Sequence, residues 1–521
     1  MAKYLLSRVL RGIGSVIIVV GIVMVLIYSC LDRNLIFAND PVFSKQKSNA
    51  QEVYKMQQWE YYGYVDYVPY GEYLNQLKLG QSEYEQAVKI GDRPQLDSPT
   101  AAKYIEQFTA QYEAEGYTVV RLNGKTKGNS QTYLDGGEPR LFASRDVPLL
   151  RRLWDYLTGI IRVDNIHAVN GDVGKRGLTF TWFDPVYGGE KFSPAIMGNG
   201  TLHKYLLYFD DTFPYLHQNF VTLRLGKSYS VNQGVDVFDT MTEKQGSRDM
   251  SMITYPSGNR EYSADDLHSA TFVAGSYEGG DAVIKRNFVD DYTGVTTKKT
   301  GLSKLGYSFA IGIISVALAY GLAIPLGILM ARRKDRLPDK LGTIYIVFIM
   351  AVPSLAYIFL FKAIGQWVGL PTGFDMERPT WLMYVLPVIS LALPSAANLM
   401  KWLRRYMIDQ MNADYVKFAR AEGLPEGNIF RSHVLKNAAI PIVHGIPASV
   451  LGVLVGAIIT ERVYVVPGAG NLLTGAINFY DNGVIVGVTL FYAVISVASV
   501  ILGDVLIGVM DPRISFGPKE R

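Results

Sequence analysis

The stretch Tyr415-Val-Lys-Phe-Ala-Arg-Ala-Glu-Gly-Leu-Pro425 lies between two long uncharged apolar runs, residues 379–400 and 437–460. It is charged and built of helix formers. Gly423 closes it, because glycine accepts the left-handed conformation that ends a helix, and Pro425 blocks continuation. Trp402, Tyr406 and Met407 extend the preceding apolar helix beyond the bilayer. Val416, Phe418 and Ala419 place apolar and small residues on the short helix itself. A helix this short is marginal alone in water, so it needs a surface to pack on. The groove of a soluble partner would supply one; lipid headgroups are the alternative support.

The residues flanking that segment set the class. The chain has 521 residues, 49% hydrophobic and 19% charged. Six uncharged runs reach the ~20 residues a membrane helix needs: 12–31, 305–331, 341–361, 379–400, 437–460 and 482–503. Positive residues are retained on the cytoplasmic side. Lys3, Arg8 and Arg11 precede the first run, and Arg332, Arg333, Lys334, Arg336 and Lys340 follow the second. Lys401, Arg404, Arg405, Lys417, Arg420, Arg431 and Lys436 lie between the fourth and fifth, and Arg513, Lys519 and Arg521 follow the sixth. Six spans with both termini in the cytoplasm satisfy every short loop, and residues 32–304 then face outward. The expected division is 1–31 as N-terminus and first span, 32–304 as an extracellular insertion, and 305–521 as a core of five spans with a coupling segment at about 401–436.

The first run exceeds the roughly 7–15 residues of a signal-peptide core, so it reads as an uncleaved anchor. Cys30 is the only cysteine, which excludes an internal disulfide and points to packing within that span. The insertion is too aromatic for a disordered linker. Helices are expected around 101–112 and 148–161, strands at 179–183 and 204–209, and turns through 228–299, which together make a mixed α+β domain. Its chemistry is sparse. No histidine stands at metal-ligand spacing; His203 and His217 read as structural. Gly226-Lys227-Ser228 lacks the earlier glycine of a phosphate-binding loop, since position 221 is Val. The tyrosines between Tyr61 and Tyr70 suit a partner contact or ordinary packing. His444, inside the fifth run, and Asp504, directly after the sixth, lie close to the inner ends of their spans, which favours interfacial placement.

Several motifs together carry a resemblance. Asp414-Tyr-Val-Lys-Phe-Ala-Arg-Ala-Glu-Gly423 with His433-Val-Leu-Lys-Asn-Ala-Ala-Ile-Pro441 resembles the coupling motif of the oligopeptide and dipeptide permeases of ABC importers. Glu461-Arg-Val-Tyr-Val-Val-Pro-Gly-Ala-Gly470, Asp511-Pro-Arg-Ile514, Leu6-Ser-Arg-Val-Leu10 and Leu223-Arg-Leu-Gly-Lys-Ser-Tyr229 are similar to further segments of that family. The enlarged insertion, with Lys204-Tyr-Leu-Leu-Tyr-Phe209 and the segment 213–220, resembles the B-type subunit of the Gram-positive Ami/Opp type. Where ABC importers in general begin their motif Glu-Ala-Ala, this chain has Lys417-Phe418-Ala419.

The resemblance implies an α-helical type I importer permease of six spans with a large extracellular α+β insertion, and a bacterial, Gram-positive plasma membrane. It implies a subunit that is not itself an enzyme and forms half of a translocation path for oligopeptides. It also implies a C-type permease partner, two cytoplasmic ATPases holding ATP and Mg, and a lipid-anchored extracellular peptide-binding protein. Tyr415, Val416, Phe418, Ala419, Arg420, Ala421, Glu422, Gly423 and Leu424 would be the ATPase-coupling residues. Glu461, Pro467, Gly468 and Gly470 would form the family motif at the fifth span. No cofactor or metal is expected on this chain. A permease for dipeptides, nickel or glutathione is the alternative within the class. A membrane-anchored extracellular receptor or enzyme is the alternative outside it.

Overall fold

A computed structural model describes residues 2–510 except 47–48, 92–93, 123–140, 164–174, 184–189, 191, 202–204, 210–213, 217–220, 231–232, 248–249, 255–259, 264–299 and 377. His203, His217, the C-terminal motif at 511–514 and the turn-rich segments 257–259, 279–281 and 290–294 lie outside the described residues.

In lipid every backbone polar group must be satisfied within its own segment, which leaves the apolar runs only the helix. Five helices of the described residues are long and apolar enough to cross a membrane, or six if one bent pair counts as a span. The first is Ala2–Cys30, the second Lys304–Arg332 and the fourth Val385–Met411. The fifth is Ile446–Tyr464, preceded by Lys436–His444, and the sixth is Asn482–Met510. The run at 341–361, expected as one span, is built as Leu337–Ala351 and Ser354–Trp367, bent by 111°. The cause is local. Pro353 disfavours helical geometry at the residue before it, and Val352 takes extended angles of φ −88° and ψ 131°.

Small residues let these helices approach closely. A Cβ on Gly12 would stand 2.3 Å from Val497 Cγ1 of the sixth helix, and one on Gly327 would stand 3.1 Å from Leu403 Cδ2 of the fourth. The first and sixth helices run antiparallel, closed at one end by Arg8–Asp504 at 3.1 Å with Tyr4 Oη donating to the same carboxylate. Asp504 thus sits beside the N-terminus, at the end expected to face the cytoplasm. Cys30 does not pack within its span; it is exposed. In the core, Arg404 grips the buried Asp339 through two bonds of 2.5 and 2.7 Å, tying the bent pair to the fourth helix.

The insertion is α+β. One lobe packs Tyr70–Gln76, Gln81–Ala87 and Pro99–Ala114 on a three-stranded sheet ordered 65–69, 141–146, 118–121. Tyr70, Tyr73, Phe108 and Tyr112 make its core. Elsewhere Gly177–Phe183, Phe192–Asn199, Tyr205–Phe209 and Pro214–Leu216 form a four-stranded antiparallel meander. The tyrosines between 61 and 70 prove to be packing residues for the most part. Tyr64, Tyr67 and Tyr70 are buried, and of the group only Tyr61 is exposed: Tyr67 points inward from the strand Val65–Pro69, and Tyr64 and Tyr70, at its two ends, pack into the clusters around Trp59 and Phe108.

One carboxylate joins insertion and core. The fully buried Asp481 precedes the sixth helix and receives Ser228 Oγ at 2.8 Å, Tyr229 N at 3.1 Å, and Ser230 N and Oγ at 2.9 and 2.8 Å. Its other oxygen caps Val484 N at 3.2 Å. Gly483 is required there, since a Cβ would stand 2.0 Å from Lys227 O. The Leu-Gly-Lys-Ser segment is therefore a dock for the sixth helix. Asp481→Asn puts an amide where several donors converge, leaving one or more without an acceptor at about 1–3 kcal/mol each. The variant should melt earlier in detergent and be cleaved faster around 226–236; an unchanged cleavage pattern would contradict the clamp.

Candidate functional site

The segment expected to couple to a partner folds as a helix, Asp414–Ala421. Lys417 Nζ meets Asp414 Oδ1 at 2.9 Å in its first turn and holds that carboxyl below its ordinary pKa. Its end is a Schellman cap: Gly423 N donates to Arg420 O at 3.0 Å and Leu424 N to Ala419 O at 3.2 Å. Gly423 has φ +80°, and Arg420 Nε reaches across the turn to Glu426 Oε1 at 2.8 Å.

The two faces of this helix differ from expectation. Val416 and Ala419 are buried within the chain, against Ala331, Leu403, Met407, Ile429, Val434, Ala438 and Ile442. They fuse the helix to the adjoining ends of the second, fourth and fifth spans and are unavailable to a partner. Tyr415, Phe418 and Leu424 face outward, 38%, 65% and 40% exposed, and Ala421, Glu422 and Gly423 are exposed beside them. The Tyr415 hydroxyl bonds Gln410 and accepts from Asn437 Nδ2 at 2.9 Å. After Pro425 the chain runs through a π-helical turn, Ile429–Leu435. The exposed side is thus a short aromatic ridge on a base with a packed core.

The second motif forms a closed buried unit. Glu461, fully buried in the last turns of the fifth span, accepts from Ser308 Oγ at 2.6 Å and from Asn471 N at 3.1 Å. Ser308 Oγ in turn accepts from Ala469 N at 2.9 Å. The carboxylate therefore caps the helix Ala469–Asn478, whose free N–H groups attract negative charge. The glycines are explained by sterics: a Cβ on Gly468 would stand 2.3 Å from Glu461 Oε2, and one on Gly470 2.7 Å from Ile458 Cα. Pro467 lies in the turn that folds this helix back on the span.

Between the second helix, Ser354–Trp367, the fourth and the fifth lies a cavity of about 600 Å³. Tyr320, Tyr357, Ser390, Ser395, Asn398, Trp402, Tyr406, Ser449 and Thr460 supply its polar and aromatic wall, and among the described residues its lining carries no charged side chain. Tyr320 Oη and Ser449 Oγ share a hydrogen bond of 3.1 Å across it. Pro394, Pro441, Gly445 and Gly452 also line it.

Residues 323–516 match the family described as the binding-protein-dependent transport system inner membrane component. Along its whole length the chain is 34% identical to the oligopeptide transport system permease protein AmiC of Streptococcus pneumoniae serotype 4, covering 100% of this chain and 99% of that one. This chain belongs to the oligopeptide and dipeptide permease family. The dipeptide transport system permease protein DppB of Lactococcus lactis subsp. cremoris is 30% identical over 40% of the permease and 69% of its own length. DppB of Bacillus subtilis is 30% identical over 41% and 68%. The long insertion is thus part of what the permease shares with its pneumococcal relative, while the DppB proteins match about two fifths of the whole permease.

Three features of the permease escape a sequence reading. Ser308 sits in an uncharged run with nothing to mark it. The cavity lining comes from separate helices at no fixed spacing. Asp481 was legible in part: an aspartate directly before an apolar run is an N-cap signal.

Proposed function

We propose that this permease forms half of the path by which oligopeptides enter a bacterial cell, driven by ATP hydrolysed on separate subunits. Membership of this ABC importer family implies ATPase and substrate-binding partners. The observation that carries the mechanism is the two-faced helix Asp414–Ala421. Its buried face is continuous with three spans, and its exposed face offers Tyr415, Phe418 and Leu424. Seated in an ATPase cleft, it would pass closure of the ATPase pair to the spans as a rigid lever, a transition between two packings. ATP and Mg would be held by those ATPases. A C-type permease would complete the path, and a lipid-anchored binding protein would deliver cargo to the insertion at 32–304. The termini would lie in the cytoplasm of a Gram-positive cell.

The cavity supports a peptide cargo. Hydroxyl and amide groups can bond a peptide backbone whatever its side chains, and a lining that among the described residues is uncharged avoids selecting one cargo charge. The DppB relatives keep dipeptides as a second reading, decided by whether di- or oligopeptides compete for uptake. The purified chain in liposomes should hydrolyse no ATP above empty vesicles; turnover by this chain alone would overturn the assignment. Two variants separate the faces. Phe418→Ala, at an exposed aromatic of the hot-spot type, should weaken ATPase co-purification by about 2 kcal/mol with little change in melting. Val416→Ala should instead lower melting, by about 1–3 kcal/mol, with ATPase contact kept. Equal effects of the two on co-purification would refute the assignment of faces.

A further inference from the structure

The helix Leu149–Gly159 of the insertion has two apolar stripes. One is accounted for. Leu153, Tyr156, Leu157 and Ile160, at the i, i+3, i+4, i+7 spacing of one face, pack against the cluster containing Val20, Met24 and Ile27 of the first membrane helix. The second stripe faces away from the protein: Leu150 is 80% exposed and Trp154 68% exposed. The next ribbon continues it. Ile161–Val163 pairs with Val221–Leu223 so that Ile161 stands opposite Leu223 and Val163 opposite Val221. Successive residues of a strand alternate in face, so these four share one side, and all four are exposed. Left in water, such a surface on a three-residue ribbon would be unfavourable.

The depth of this surface decides what covers it. Leu153 Cδ2 lies 3.7 Å from where a Cβ on Gly21 would stand. Gly21 is midway along the uncharged run 12–31, about 13 Å of helix below Cys30. Around it Ile18, Val19, Ile22, Val25 and Leu26 are themselves exposed on a span whose surroundings are hydrocarbon. The second stripe therefore begins beside lipid-facing side chains. The cations of the helix are partnered within the protein: Arg151 reaches Asp66 of the insertion at 3.1 Å and Asp155 one turn on at 3.7 Å, and Arg152 stacks over Tyr28 and Tyr64 at 3.8 and 4.0 Å.

We infer that Leu149–Gly159 and the ribbon after it form a membrane-embedded foot of the insertion, resting in the leaflet on the insertion's side of the bilayer. Its occupant is the acyl-chain region of lipid, which takes Leu150, Trp154, Ile161, Val163, Val221 and Leu223. An amphipathic helix settles about 5–10 Å into the headgroup and acyl boundary, and from that level the Leu153 side chain reaches further down the first span to Gly21. The foot and the Asp481 clamp hold the insertion at two places, so that it cannot swing freely on the first span.

Spin labelling of the full-length chain in lipid nanodiscs tests this. In a Cys30→Ser background, single labels replace Leu150 or Trp154, with Ile22→Cys as the lipid reference and Glu106→Cys, on an exposed helix face, as the water reference. Relaxation by oxygen against a water-soluble nickel chelate is read at each site. The expected result is an oxygen-to-nickel ratio at both foot positions close to that of Ile22 and several-fold above that of Glu106. A ratio matching Glu106 would overturn the inference, because the surface then faces water. Protection from both agents with an immobilised spectrum would overturn it equally, because a protein surface then covers the foot. The Ile22 reporter shows that the first span is inserted under the same conditions.

Discussion

Gly423→Val is expected to abolish peptide uptake while the permease stays folded in the membrane. Gly423 sits at φ +80°, and a Cβ there would meet nothing within 4 Å. The penalty is therefore backbone strain alone, about 1–2 kcal/mol for an ordinary residue in the left-handed region and more for a β-branched one. That suffices to release the cap in which Gly423 and Leu424 bond the carbonyls of Arg420 and Ala419. The last turn would unwind and displace Phe418 and Leu424, the outward side chains nearest it. Since Val416 and Ala419 remain in their pocket, melting should change little. Asn tolerates the left-handed conformation, so Gly423→Asn should restore uptake. The measurement is uptake beside ATPase co-purification for both variants. Normal uptake in the Val variant, or equal loss in both, would remove the coupling role of this turn.

Gly470→Val should have the larger effect on folding. Its Cβ would meet Ile458 Cα at 2.7 Å, a backbone atom that cannot step aside, and Glu461 Oε2 at 2.9 Å. Overpacking costs about 1–3 kcal/mol. Prising the fully buried carboxylate from Ser308 and the Asn471 amide leaves it without those partners, at about 1–3 kcal/mol for each lost bond and more if the group is charged. The sum is comparable with the whole stability of a domain, so little folded protein should be recovered. Glu461→Gln is the milder companion. It keeps the shape but sets an amide donor toward Ser308 or Asn471, costing about 1–3 kcal/mol. Size-exclusion profiles and melting in detergent give the order Gly470→Val worse than Glu461→Gln; the reverse order would show that the carboxylate, and not the close approach, is what the motif protects.

Local chemistry alone made part of this protein legible. Uncharged runs must become helices in lipid, so the spans could be read from length, and Gly423 with Pro425 marked the end of the coupling helix because their backbone limits are intrinsic. The amphipathic spacing around 148–161 likewise announced a helix. What that helix packs on was not legible, since periodicity shows an apolar face and not its occupant. For the same reason Val416 and Ala419 read as partner contacts until the fold placed them in the permease's own core. The tyrosines between 61 and 70 were open to partner contact or packing until the tertiary clusters of the insertion took most of them in. The bend at Val352-Pro353 was open to either reading, because a proline is absorbed in a gently kinked span or breaks it according to its neighbours. Ser308 with Glu461, and Ser228 with Asp481, are separated by 153 and 253 positions. No spacing rule connects residues so far apart. Packing of the whole chain is what brings a hydroxyl and a backbone N–H to a buried carboxylate, and the cost of leaving that charge unpaired holds each pair in place.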